Sequence, residues 1–201
     1  MKKLLIATKN PGKIAEIKSF LTDLPFESVS LKDVGIEDDV EETGKTYAEN
    51  SLLKALFYAK KSQLPAISDD GGLEIEALQG APGIKSRRWL GYEATDQELI
   101  EYMKKVSQKL PENNRTAYFK TVVTFALPNG KYFQSVGSVK GEIAKKPLLK
   151  LLEGYPYRSF FFLPQINKFY HESQLSKAEE KVYNHRYKAV KKLKPLITKY
   201  V

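Results

Sequence analysis

Apolar and polar positions along the chain fall into two rhythms. Short apolar runs closed by polar or turn-forming residues read as strands at 2–8 (KKLLIAT), 26–31 (FESVSL) and 64–68 (LPAIS). Between them the period changes to that of a helix. Residues 10–24 place Ile14, Ile17, Phe20 and Leu21 at helical spacing, with Asn10 suited to the cap and Pro11 to the first helical position. Residues 35–44 form an acidic loop. Residues 46–62 open on a capping box, Thr46 with Glu49, and carry Leu52, Leu53 and Leu56 as an apolar stripe. Thr95 with Glu98 starts a further helix that runs to 110. Residues 116–127 and 131–139 are rich in β-branched and aromatic side chains, and Asn129-Gly130 between them predicts a hairpin. Ser176 with Glu179 opens a lysine-rich C-terminal helix. The order strand, helix, strand, helix, strand, hairpin, helix predicts an α/β protein with a mixed sheet. No repeat or linker divides the chain, so residues 1–201 are expected to form a single domain.

Composition narrows the partners. The 201 residues hold 33 Lys and Arg against 24 Asp and Glu, a net charge of +9. That excess favours an anionic partner: a nucleotide, a nucleic acid or a membrane surface. The absence of cysteine excludes disulfides and thiolate metal sites, and two histidines argue against a histidine-built zinc site. The apolar run LLIA is too short for a signal peptide. No segment approaches the ~20 apolar residues that span a bilayer. A cytoplasmic protein without membrane contact is the expectation.

The segment AISDDGG, residues 66–72, sets two carboxylates side by side where a short strand is expected to end. In open α/β sheets, ligands bind beyond the carboxyl ends of the strands. Adjacent carboxylates repel unless a proton or a cation intervenes, and a hard cation such as Mg²⁺ accepts oxygen ligands while keeping waters. Gly71 and Gly72 would let the backbone turn sharply and approach a ligand. A solvated Asp-Asp-Gly-Gly turn fits the same residues.

TKNPGK, residues 8–13, joins the first strand to the first helix. A helix N-terminus offers free N–H groups to phosphate, and Lys9 and Lys13 add positive charge. Gly44-Lys45-Thr46 imitates the end of a phosphate-binding loop, but the glycine that motif needs is replaced by Asp39, and the preceding EDDVEE would repel phosphate. GKT therefore reads as a helix start, and Glu41 and Glu42 as possible metal partners or as part of a solvated loop. Asn50 and Lys54 share a helix face. Near the C-terminus His185 and Arg186 stand together with Lys181 one turn earlier, a set that could meet phosphate or base, or simply form a basic surface.

Taken in order, TKNPGK, EETGKTYAENSLLKA, SDDGGLEIEALQGAPGIKSRRW and NHRYKA resemble the inosine triphosphatase family, the RdgB-like pyrophosphatases of non-standard purine nucleotides. The resemblance spans nearly the whole chain. It implies an elongated mixed β-sheet flanked by helices, with two lobes around a central cleft, and usually a homodimer. It implies Mg²⁺-dependent hydrolysis of inosine, deoxyinosine and xanthosine triphosphates to monophosphate and pyrophosphate, with free nucleotide rather than nucleic acid as the partner. Carried over, Thr8, Lys9, Asn10, Pro11, Gly12 and Lys13 would cradle the triphosphate. Glu42, Asp69 and Asp70 would hold metal, with Asp70 as general base beside Lys54. Lys181, His185 and Arg186 would contact the nucleotide, Arg186 near the base.

This chain departs from the family pattern at several places. Gly71 stands where a serine usually follows the aspartates, and Lys85 where a tyrosine or similar residue is usual. The base-binding loop, Gly-Phe-Gly-Tyr-Asp-Pro in the family, reads Gly154-Tyr155-Pro156-Tyr157-Arg158-Ser159 here. Tyr155 could still stack on a base, Pro156 lacks the N–H a glycine supplies, and Arg158 reverses the charge of an aspartate. Asn184 and Tyr187 flank the His-Arg pair in place of serine and glycine. The alternatives are a family member with altered base specificity and a non-catalytic nucleotide- or nucleic-acid-binding protein.

Overall fold

The computed structural model describes residues 2–150 and 152–201. Among them, seven strands form one mixed sheet in the order β2-β1-β3-β4-β5-β6-β7, and helices flank it. The strands are β1 (Lys3–Ile6), β2 (Glu27–Ser30), β3 (Ala66–Ile75), β4 (Thr116–Ala126), β5 (Tyr132–Ile143), β6 (Phe161–Leu163) and β7 (Lys168–Phe169). The α-helices are α1 (Pro11–Phe20), α2 (Tyr47–Ser62), α3 (Asp96–Lys109), α4 (Lys177–Tyr183) and α5 (His185–Tyr200). β1 runs parallel to β2 and β3, whereas β6 pairs antiparallel with β5 and β7. The chain divides into two compact units: residues 1–70, 121–137 and 186–201, and residues 71–120 and 138–185.

In the first unit the period of two sorts side chains to two cores. Leu4 and Ile6 of β1 join Ile17 of α1 and Ala189, Val190 and Leu193 of α5. Leu5, between them, joins Ala55, Tyr58 and Ala59 of α2. β1 is apolar throughout because it is covered on both faces, as a parallel strand between helices should be. Asn10 caps α1, its side chain accepting the Lys13 N–H at 3.1 Å, and Pro11 occupies the first turn. The helix closes at Phe20, four residues before the end read from the sequence.

Helix α2 has its capping box, but its buried residues are Asn50, Ser51, Ala55, Tyr58 and Ala59, not the leucines. Leu53 is exposed, and Leu52 and Leu56 are half-buried. The small side chains let the helix lie close against the small residues Ala7, Ala66 and Ala126. Leucine reads as core only where there is room for it.

β3 also corrects the expectation of a turn. It does not stop at the aspartates; Asp69, Asp70, Gly71 and Gly72 lie inside a ten-residue strand. The glycines are extended backbone.

The second unit packs Leu99, Ile100 and Met103 of α3 against Leu73 and Ile75 of β3, Phe119 of β4, and Phe161 and Leu163. The hairpin turn forms at Asn129-Gly130, where Gly130 takes φ 89° and the Leu127 N–H donates to the Lys131 carbonyl at 2.8 Å. All three capping boxes are present, at Thr46, Thr95 and Ser176. The C-terminal helix is two helices: α4 ends at Tyr183, and Asn184 leaves the helical conformation at φ −86°, ψ 115° before α5 begins.

Candidate active site

In the first unit, β3 carries two buried carboxylates, and α1, α2 and α5 bring cations to them. Asp69 is wholly buried. Its Oδ2 takes Arg186 Nε at 2.9 Å, Lys13 Nζ at 3.2 Å and, more distantly, the Thr121 hydroxyl at 3.4 Å. Its Oδ1 is buried and, among the described residues, has no hydrogen-bond partner. The Arg186 guanidinium also pairs with Glu16.

Asp70, 8% exposed, is held differently. Lys54 Nζ lies 3.8 Å from its Oδ1, and Asn50 Nδ2 donates to its Oδ2 at 3.3 Å. Thr121 donates to its backbone carbonyl at 2.9 Å. Lys54 also pairs with Glu42 at 2.5 Å.

These surroundings pull the two carboxyls apart. Burial alone would raise the pKa of Asp69, but Arg186, Lys13 and Lys54 together hold it well below the usual carboxylate range. Burial raises Asp70, and Lys54 and Lys13 do not offset it because Glu42 and Asp69 push the same way. Burial opposes the charge on Lys54, yet Asp70, Glu42 and Asp69 raise it above the usual value. Lys13 is lowered by burial, which outweighs Asp69 and is reinforced by Lys54 and Arg186. Adjacent carboxyls with opposed shifts can divide two roles: a permanently ionised anchor and a proton acceptor.

The structure redistributes several expected residues. Lys9 reaches the acidic loop, donating to the Glu37 carbonyl at 3.0 Å and pairing with Asp39 at 3.1 Å. Thr8, Asn10, Pro11 and Gly12 form the strand-to-helix turn, with the Asn10 N–H on the Thr8 hydroxyl at 3.2 Å. Arg186, expected near the base, is bound to Asp69 and Glu16. Glu42, Asp69 and Asp70 do not form a ready-made cage: among the described residues no three metal-ligating side chains are gathered for one ion. Lysine or arginine stands against each of them instead.

The remaining expected residues belong to the second unit. The Arg158 guanidinium lies over the Tyr155 ring at 3.9 Å and over the Tyr170 ring at 4.6 Å, and the residue is 4% exposed. It is no surface cation. The Tyr170 hydroxyl meets His185 Nδ1 at 3.1 Å, and His185 stacks on Phe119. The loop is pinned at both ends: the Gly154 N–H donates to Asp96 at 2.6 Å, and the Tyr157 hydroxyl donates to the Ser86 carbonyl at 2.6 Å. Tyr157 is thus a loop anchor, with burial raising its pKa, and Pro156 is buried beside it. Lys181 is exposed on the last turn of α4, and Gly71 is a strand residue.

Sequence reasoning assigned no role to Glu16, Asn50 or Thr121. Glu16 follows Lys13 by three residues on one helix face, a signal that was present. Thr121 gave none, since threonine in a β-branched run reads as a strand former.

Comparison with known proteins agrees with the order of sequence blocks. The profile of the Ham1 family matches residues 4–196. A dITP/XTP pyrophosphatase of Caldanaerobacter subterraneus subsp. tengcongensis is 40% identical over 200 residues, covering 99% of this chain and 98% of that protein. One from Halalkalibacterium halodurans is 38% identical over 193 residues, covering 96% and 97%. The solved structure of a HAM1 protein from Coxiella burnetii matches with a TM-score of 0.83 at 33% identity, over 99% of this chain and 100% of that one. With a profile match from β1 into α5 and relatives aligned nearly end to end, this chain belongs to the Ham1 family.

Proposed function

We propose that this protein hydrolyses deaminated purine nucleoside triphosphates, deoxyinosine and xanthosine triphosphates among them, to the monophosphate and pyrophosphate. The observation that carries the reading is the buried Asp69–Asp70 pair with Lys13, Lys54 and Arg186 around it. The names of the relatives supply the substrate class.

The site residues fit a hard divalent cation such as Mg²⁺. Asp69 Oδ1 is a buried acceptor without a partner, and Mg²⁺ commonly takes only one or two carboxylates alongside substrate phosphates. Asp69 and Asp70, with Glu42, would hold it. When bound, such an ion neutralises phosphate charge and polarises the phosphoryl oxygens.

Asp70, with its raised pKa, accepts the proton of a water that attacks the α-phosphorus. The bond from that phosphorus to the bridging oxygen breaks, and pyrophosphate leaves. Lys54 keeps Asp70 ionised until the proton arrives. Lys13 and the α1 N-terminus, with Thr8 to Gly12, take the phosphate chain. Arg186 fixes Asp69.

Residues 1–201 work as one catalytic domain, since the first unit is assembled from three separate segments and the second from two. The family resemblance supports a cytoplasmic homodimer acting on free nucleotide and not on nucleic acid. Among the described residues no helix is long and apolar enough to cross a membrane. Burial of Arg158 favours a shifted base preference. A guanidinium only donates hydrogen bonds, so acceptor-rich bases suit it, xanthosine before inosine.

The test is pyrophosphate release from inosine, deoxyinosine, xanthosine, adenosine and guanosine triphosphates, with Mg²⁺ and with EDTA. Release confined to the deaminated purines and abolished by EDTA is expected. No release from any of the five, or full release in EDTA, would reject the reading.

A further inference from the structure

Asn50 uses both ends of its amide. It sits on the first turn of α2, 1% exposed. Its Oδ1 accepts the Gly44 N–H at 2.8 Å, and its Nδ2 donates to Asp70 Oδ2 at 3.3 Å. The orientation is forced by chemistry. An N–H only donates and a carboxylate only accepts, so a flipped amide would face repulsion at both ends.

Lys54, one turn later on the same face, makes a parallel bridge from Glu42 to Asp70 Oδ1. One rung of the helix thus hydrogen-bonds Asp70 Oδ2 and the other sets an ammonium 3.8 Å from Oδ1, and both rungs begin on the segment 42–44. A directional hydrogen bond to one oxygen, with a cation beside the other, orients the plane of a carboxylate as well as fixing its place.

Gly44 is what allows the neutral rung. A Cβ at that position would lie 2.5 Å from Asn50 Oδ1 and 2.7 Å from Glu49 Cβ. The neighbouring side chain, Glu49, does a different job. Its carboxylate takes the Lys45 and Thr46 N–H groups at an exposed position and so holds the helix end. Two adjacent residues thus share three successive N–H groups, and only Asn50 carries the contact on to Asp70.

We propose that Asn50 is a positioning residue for the hydrolysis: through it the Gly44 N–H sets the plane of the Asp70 carboxylate, and the 42–44 segment and Asp70 move as one body. This rests on the reading of Asp70 as the proton acceptor.

The experiment measures kcat and KM for pyrophosphate release from xanthosine triphosphate at saturating Mg²⁺. The variants are Asn50→Ala, Gly44→Ala, the double variant, Glu49→Ala and Asp70→Asn, each checked for folding by circular dichroism and thermal melting. Asn50→Ala and Gly44→Ala should each lower kcat about 10- to 100-fold while KM stays within about threefold. The double variant should be no slower than Asn50→Ala, because Gly44→Ala acts by displacing the same amide. Glu49→Ala should melt earlier and keep its kcat. Near-normal kcat in folded Asn50→Ala, with Asp70→Asn inactive, overturns the positioning role and leaves Asp70 as acceptor. Full turnover by Asp70→Asn overturns both. Additive losses in the double variant, or losses confined to KM, also overturn the proposal. Should Asn50→Ala fail to fold, Gly44→Ala, which keeps the amide, decides by the same split between kcat and KM.

Discussion

Arg186 and Asp69 form an ion pair sealed from water, at 3% and 0% exposure, with Nε 2.9 Å from Oδ2. Taking both charges out of water is costly. The pair stands because the same guanidinium also meets Glu16 and because Lys13 adds a second cation at 3.2 Å.

Removing Arg186 should therefore be expensive. Arg186→Ala leaves a buried carboxylate short of its closest cation, and the expected loss of unfolding free energy is about 3–5 kcal/mol. Arg186→Lys should fall between, because an ammonium cannot fork between Asp69 and Glu16. Urea denaturation measures both. A loss below about 1 kcal/mol in the alanine variant would mean that Lys13 alone neutralises Asp69.

Asp70→Asn should fold normally and lose turnover by a factor of about 10²–10⁴, the usual contribution of a positioned general base. The amide keeps the shape of the carboxylate but cannot take a proton from water. Single-turnover rates with the folded variant are the check, and wild-type rates would remove Asp70 from the chemistry.

Arg158→Ala should lower stability by about 2 kcal/mol, since it deletes a desolvated cation from between the Tyr155 and Tyr170 rings. Thermal melting reads the loss. The same variant should change the ranking of xanthosine over inosine triphosphate. An unchanged ranking would make Arg158 a packing residue only.

Glu179 supplies a pH dependence. Lys168, with the N–H and hydroxyl of Ser176, holds its carboxyl down at about 2. A depressed folded pKa stabilises the native state above the unfolded value, about 4.5, and that contribution fades as pH falls from there toward 2. The melting temperature of Glu179→Gln should lie below wild type at pH 6, and the gap should close near pH 2. A gap independent of pH would show that the carboxylate charge is not what matters.

The sequence showed the fold best where the signal was local. Three capping boxes, the Asn129-Gly130 turn and the Asn10-Pro11 helix start all stand, because each depends on residues within a few positions of one another. It misled where packing decides. Leu53 looked like core on α2, but the face turned inward carries Asn50, Ser51, Ala55, Tyr58 and Ala59. The Asp-Asp-Gly-Gly segment looked like a turn, yet the sheet pairs it as strand. At the candidate site the residue types were legible and their pairings were not. Lys9 went to the acidic loop, Arg186 went to Asp69, and Asn50 gained its meaning only through Gly44 and Asp70, partners that no spacing rule connects.

The Asp69–Arg186 pair joins positions 117 residues apart, and this sets an order of assembly. While the chain leaves the ribosome, β3 emerges with a carboxylate that must stay hydrated until α5 arrives. By then every segment of the second unit, 71–120 and 138–185, has been synthesised, whereas the first unit still lacks 186–201. The second unit can therefore close first, and the first closes last. A chain truncated after His185 should be cut by protease within 1–70 and 121–137 while 71–120 and 138–185 resist, and restoring residues 186–201 should abolish that difference.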